Sequence, residues 1–308
     1  MSDSLVHARG LRKRFGALEA VRGIDIDVWA GEVFGFLGPN GAGKSSTMRM
    51  IGCVSPRSDG ELQVLGMDPE VDGPRIRARL GVVPQQDNLD VELSVRDNLH
   101  VYGRYFGMSR VAVRAKAAEL LDFVQLTDRA ADPVEQLSGG MKRRLTIARS
   151  LVNDPELMLL DEPTTGLDPQ ARHLLWDRLF RLKQQGVTLI ITTHYMDEAE
   201  QLCDRLVVMD GGLIVAEGSP QELIGQYSTR EVLELRLTQD VQPRWRETLS
   251  DLAERVEELP DRLLIYASDG EAALAAAHRR GVQPTSTLVR RSTLEDVFLR
   301  LTGRSLVD

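Results

Sequence analysis

Gly38-Pro39-Asn40-Gly41-Ala42-Gly43-Lys44-Ser45 sets two glycines, a lysine and a hydroxyl at the spacing of a loop that cradles the phosphates of a nucleoside triphosphate. The flanks agree with that reading: residues 33–37 form an apolar run of strand length, and residues 44–51 read as the helix that follows. Glycines let successive backbone N–H groups point inward at a helix N-terminus, where the helix dipole favours negative charge. Lys44 would neutralise the β- and γ-phosphates, Ser45 would ligate Mg²⁺ through its hydroxyl, and Ser46 completes the binding loop. The alternative is a glycine-rich turn that binds nothing, which the strand and helix on either side disfavour.

Two further segments narrow the reading. Residues 157–160 are an apolar strand running into Asp161-Glu162-Pro163, a Walker B pattern. Asp161 would hold Mg²⁺ directly or through water, and Glu162, pointing to another side by strand alternation, could face the attacking water as general base. An acidic pair that merely ends a strand is the plainer reading of these residues taken alone. The second segment is Leu137-Ser138-Gly139-Gly140-Met141, at the head of a helix whose apolar positions Met141, Leu145, Ala148 and Leu151 have helical spacing. Ser138 can cap that helix, and the glycine pair leaves its N–H groups open to an anion.

With all three segments in one chain, the sequence resembles the ATP-binding cassette (ABC) family, and several residues take roles by that resemblance. Ser138, Gly139 and Gly140 would close the ATP site of a second cassette and not their own. His194, after the strand at residues 189–193, would be the switch histidine at the γ-phosphate. Gln85, after Gly81-Val82-Val83-Pro84, would be the glutamine that senses Mg²⁺ and the γ-phosphate, with Gln86 the weaker candidate. Asp168, in Gly166-Leu167-Asp168, would reach across the dimer, and Phe15 would stack on adenine. A closer likeness joins the chain to exporter ATPases of the nodulation-factor and daunorubicin-resistance type. It is carried by Val83-Pro84-Gln85, Asp87-Asn88-Leu89, Gly103-Arg104-Tyr105-Phe106-Gly107-Met108, residues 137–144 and 161–169, and Leu294-Glu295-Asp296-Val297-Phe298.

The fold implied is α/β: a P-loop NTPase cassette over residues 1–223, with a helical subdomain near 90–150, followed by a small α+β accessory domain at 224–308. At residues 232–237 leucines alternate with Glu234 and Arg236, the pattern of a strand with one wet face. Helix, strand (near 263–267), helix, strand (near 288–290) and helix should follow, the last capped by Ser292 or Thr293.

A formal charge of -8 argues against a nucleic-acid partner. Cys53 and Cys203 are too few and too far apart for a disulfide framework, and both suit small core positions. The N-terminus shows no secretory signal, and no apolar run nears the roughly 20 residues of a membrane span. The expectation is therefore a cytoplasmic subunit on the inner face of the cell membrane, binding ATP and Mg²⁺, forming a homodimer around an ATP sandwich and driving a separate polytopic permease in export. Two other readings are a soluble ABC ATPase of translation or DNA metabolism, which usually has two cassettes or a long insert, and a nonhydrolytic ATP sensor. Lys44, Asp161, Glu162 and His194 together oppose the second. The cargo is open among drug, lipid, oligosaccharide and polyketide.

Overall fold

The computed structural model of the chain describes residues 4–237 and 249–303. Strands β1 (Ser4–Phe15) and β2 (Leu18–Trp29) form an antiparallel hairpin that the sequence reading did not identify. Strand β3 (Val33–Leu37) follows, buried at every residue, and delivers the chain through the phosphate loop into helix α1 (Lys44–Ile51). Strand β4 (Asp59–Val64) then returns to pair with β1. A short helix α2 (Gly73–Arg77) leads to β5 (Leu80–Val83).

Three helices come next: α3 (Val95–Tyr105), α4 (Arg110–Phe123) and α5 (Gly139–Ser150). Each begins at a serine, Ser94, Ser109 or Ser138, whose side chain accepts the N–H of the residue three positions on. Gly103 lies inside α3, where glycine is required because a Cβ would come within 2.7 Å of Val113 Cγ2 on α4. The turn falls instead at Gly107, with φ +75°.

Strand β6 (Leu157–Asp161), helix α6 (Pro169–Gln184), strand β7 (Thr188–Thr193), helix α7 (Met196–Leu202) and strands β8 (Arg205–Asp210) and β9 (Leu213–Gly218) complete the first unit. The strand order is β5-β6-β7-β3-β8-β9, parallel from β5 through β8. Strands covered on both faces read as continuous apolar runs, which is why β3, β6 and β7 show so plainly in the sequence. Helix α1 lies between this sheet and the smaller antiparallel one. One core joins Leu11 and Ile24, Met48 and Ile51 of α1, and Phe36, Leu159 and Ile190. Cys203 is buried and Cys53 half-buried, and both are free thiols.

The chain divides into its two units at Glu217/Gly218, earlier than residue 223, since helix α8 (Pro220–Tyr227) packs on the C-terminal helix Leu294–Thr302. In the second unit, β10 (Glu231–Arg236), β11 (Arg255–Leu259), β12 (Arg262–Ala267) and β13 (Ser286–Arg291) make an antiparallel sheet in the order β11-β12-β10-β13. Strand β11 was not foreseen, and the helix expected between the first two strands falls largely on residues outside those described. The face of β10 expected to be wet mixes buried Val232 with half-buried Glu234 and exposed Arg236. Leu233 and Leu235 pack toward Ala273 and Ala277 of the helix Gly270–Arg279, whereas Val232, Leu264 and Tyr266 form a second core on the opposite face with Leu299.

Glu234 is tolerated in β10 because Arg262 and Arg290 donate to it at 3.0 and 2.6 Å. Arg290 also grips Asp296, 1% exposed, through two bonds of 2.7 and 2.9 Å. Tyr266 Oη and the Thr293 N–H donate to the same carboxylate, so Asp296 both caps the last helix and anchors it to the sheet. Burial opposes ionisation of Asp296, and the Arg290 fork and the Thr293 N–H overcome it, leaving its pKa below the usual carboxylate value. Among the described residues no helix is long and apolar enough to cross a membrane.

A carboxylate with a lowered folded-state pKa stabilises above its unfolded value, about 3.9 for aspartate, and that contribution is lost as pH falls through the folded value. Asp296→Asn is expected to cost the second unit about 3 kcal/mol near neutral pH, because Arg290 and Tyr266 lose a buried anion. The penalty should shrink below about pH 4 as the wild-type carboxyl protonates. Hydrogen exchange of the β10 and β12 amides against pH measures it; equal protection in variant and wild type at pH 7 would contradict the assignment.

Candidate active site

The phosphate loop owes its course to glycine at two close approaches. A Cβ on Gly38 would lie 2.3 Å from Met209 O, and one on Gly43 would lie 2.5 Å from Ala20 O, at a φ of +103°. Lys44 is almost wholly buried, and its Nζ donates to Gly38 O at 2.6 Å and Pro39 O at 3.0 Å. Burial lowers the pKa of this ammonium, while Glu162 and Asp161 oppose the shift. Loop residues 40–46 line a cavity of about 260 Å³ together with Phe15, Gln85 and Glu162. Phe15 ends β1 at the cavity wall, half exposed, with Lys13 Nζ 4.9 Å from its ring centroid.

At the end of β6 the two acidic residues separate in role and in backbone. Asp161 finishes the strand, and its Oδ1 accepts from Ser45 Oγ at 3.1 Å and Thr192 Oγ1 at 2.5 Å. Glu162 lies outside the strand with φ +46°, so a left-handed turn aims its side chain, not the strand alternation expected from sequence. A non-glycine residue there carries strain of about 1–2 kcal/mol. The strain is held: the Glu162 N–H donates to both Thr192 O (3.1 Å) and Thr192 Oγ1 (3.0 Å).

The Glu162 carboxylate is 7% exposed and gathers the other expected residues around it. Gln85 Nε2 donates to Oε2 at 3.0 Å and Thr165 Oγ1 to the same oxygen at 3.2 Å. His194 Nδ1 stands 3.3 Å from Oε1, within ion-pair range but off the line of a good hydrogen bond. The His194 ring, ahead of Lys44 and Thr165, holds the Glu162 carboxyl below its ordinary range against the cost of burial, so it stays ionised at neutral pH.

Ser138, Gly139, Gly140 and Asp168 stand apart from this cluster. Ser138 caps α5 by accepting from Met141 N at 3.3 Å, and Asp168 caps α6 by accepting from Ala171 N at 2.9 Å. The two helix starts adjoin: a Cβ on Gly140 would be 3.2 Å from Ala171 Cβ, while Gly139 faces open space. The first N–H groups of each helix have no partner within the helix.

Two site residues escaped the sequence reading. Thr192 is one of several threonines in an apolar strand, and nothing in its spacing marks the hydroxyl that joins Asp161 to Glu162. Arg143 belongs to the basic triplet after the glycine pair; it lies off the apolar stripe of Met141, Leu145, Ala148 and Leu151, so nothing in the spacing marks it as the buried member of Lys142-Arg143-Arg144.

A glycine-rich phosphate loop between a buried strand and a helix, with a carboxylate poised beside it, defines a P-loop nucleotide-binding cassette. Comparisons with known proteins agree. Residues 21–165 match the ABC transporter family model, and residues 243–303 match that of the nodulation factor export protein NodI, C-terminal domain. The Nod factor export ATP-binding protein I of Cupriavidus metallidurans is 46% identical over 305 residues, 99% of each chain. That of Ralstonia nicotianae is 46% identical over 311 residues, covering 100% of this chain and 96% of its own. Among solved structures, the dimeric post-hydrolysis state of the cassette MJ0796 bound to ADP and Pi aligns with TM-score 0.64 at 28% identity, covering 70% of this chain and 98% of its own. The chain cbiO1 from Clostridium perfringens aligns with TM-score 0.68 at 28% identity, covering 73% and 92%. The chain belongs to the ABC transporter family, as an ATP-binding and ATP-hydrolysing subunit of an exporter.

Thr192→Val keeps shape and removes both hydroxyl bonds. It is expected to cost about 1–3 kcal/mol of stability and to lower kcat about tenfold, since Asp161 and the strained Glu162 backbone each lose a partner. Thermal unfolding and steady-state phosphate release check this; unchanged kcat would show that the hydroxyl does not place the carboxylates.

Proposed function

We propose that two copies of this chain hold two ATP molecules between them, each nucleotide bound by the phosphate loop of one copy and closed by Ser138, Gly139 and Gly140 of the other, with Asp168 beside that interface. Phe15 would stack on adenine, and backbone N–H groups at the head of α1 with Lys44 would hold the β- and γ-phosphates. Ser45 Oγ and Asp161 Oδ1, 3.1 Å apart and joined at the cavity by Gln85, are hard oxygen donors of the kind Mg²⁺ takes alongside phosphate oxygens. Mg²⁺ held there would neutralise charge on the β- and γ-phosphate oxygens.

Glu162 acts as the general base, taking a proton from the water that attacks the γ-phosphate. Its lowered pKa keeps it ionised and ready, and His194 and Gln85 orient it and meet the γ-phosphate. The observation that carries the reading is the strained Glu162 backbone, held so that an ionised carboxylate reaches the phosphate cavity. Dimer closure and its release on hydrolysis would drive a separate polytopic permease, placing the chain on the inner face of the cell membrane. The dimeric solved relative and the end-to-end likeness to export subunits support this, and the relatives' named role, Nod factor export, is the first cargo to test.

Glu162→Gln should bind ATP as wild type does, lose about 10²–10⁴-fold in turnover, and accumulate as a dimer with MgATP on size-exclusion chromatography. Turnover at the wild-type rate would remove Glu162 from the base role.

A further inference from the structure

Arg143, Thr146 and Arg149 stand three residues apart on one side of α5, and all three reach the segment after β5. Thr146 Oγ1 donates to Asp87 Oδ1 at 3.1 Å. Arg149 donates to Asn88 O at 2.7 Å and also bonds the Asn88 side chain. Arg143 donates to Pro84 O and lies 3.6 Å from Asp87 Oδ1. Together they hold both sides of the loop that carries Gln85.

Arg143 does more. It is 5% exposed, and the rest of its guanidinium faces the turn after β6: Nε donates to Pro163 O at 2.7 Å, and Nη2 to Asp161 O and Glu162 O at 3.0 and 3.1 Å. Four carbonyls from two separate loops thus converge on one side chain. A guanidinium offers five N–H donors in a rigid planar fork, whereas an ammonium offers three around a point charge. Three of the four carbonyls are consecutive, at 161, 162 and 163, and they converge only because the backbone turns left-handed at Glu162.

We propose that Arg143 is a positioning residue for hydrolysis: its fork fixes the Glu162 backbone against the loop bearing Gln85, so that the base and the amide bonded to it stay in register. The inference rests on Glu162 being the general base. It also ties each chain's two surfaces together, since α5, which begins at Ser138, grips the turn holding the same chain's base. A shift of Ser138 against the partner's nucleotide is then transmitted to Glu162 of its own site.

The test uses the full-length protein with Arg143→Lys and Arg143→Gln, alone and combined with Glu162→Gln. Binding of a fluorescent ATP analogue is expected within about threefold of wild type and KM likewise, while kcat falls about tenfold or more in both variants, because lysine keeps the charge but not the fork. A residue that acts through Glu162 has little left to lose without it, so adding Arg143→Lys to Glu162→Gln should lower single-turnover hydrolysis by less than about twofold. Wild-type kcat in Arg143→Lys, a loss that appears only in KM, or a full additional loss on top of Glu162→Gln would overturn the proposal. If Arg143→Gln does not fold, Arg143→Lys decides; failure of both to fold or bind nucleotide would make Arg143 a structural residue and overturn it too. Normal turnover by Glu162→Gln alone would remove the base reading first, and this inference with it.

Discussion

The left-handed backbone of Glu162 is the constraint on which the rest of the site depends. A chain leaving a parallel strand would ordinarily continue in extended or right-handed conformation; here it turns against that preference, at φ +46°, and the surroundings compensate. Thr192 on the neighbouring strand meets the N–H, and Arg143 on α5 meets the carbonyls. Removing either holder would let the turn relax. The sheet order follows the same need, because Thr192 can reach both acidic residues only if β7 lies beside β6.

Around that turn the charges are arranged for a polyanion. Lys44 is buried among loop carbonyls, and two carboxylates stand nearby, one bonded to a serine at the helix start and the other to a glutamine and beside a histidine. Carboxylates so close to a phosphate would repel it unless cations intervene, which is the physical reason for the proposal that Ser45 and Asp161 would take a divalent ion and Glu162 a water. The starts of α5 and α6 differ in that a serine hydroxyl caps the first and the Asp168 carboxylate the second.

Much of this was readable in the amino acids, and the gaps have physical causes. The buried strands β3, β6 and β7 are each dominated by a run of large apolar residues, and the phosphate loop and its neighbours carry residues whose spacing has few other uses. The β1–β2 hairpin was missed because its half-buried strands mix Arg, Lys, Asp and Glu with Val and Ile. Alternation in β10 suggested a solvent face, yet Glu234 is half-buried between two arginines that arrive from β12 and β13, a pairing that exists only after folding. Likewise Asp296 read as an ordinary first-turn acid, and Arg143 as one of three basic residues. Local sequence marks what a residue can do, whereas which partner reaches it is a property of the whole fold.

The sheet of the second unit is packed on both faces, which bears on how the molecule comes apart. One face rests on the alanine-rich helix Gly270–Arg279, while on the other Val232, Leu264 and Tyr266 meet Leu299 of the C-terminal helix, so this unit contains a hydrophobic interior of its own. Each unit thus has what a cooperative transition requires. Heating or denaturant should therefore act on two melting equilibria in one polypeptide, and a single midpoint or slope fitted to the whole would be an average over two bodies that need not unfold together.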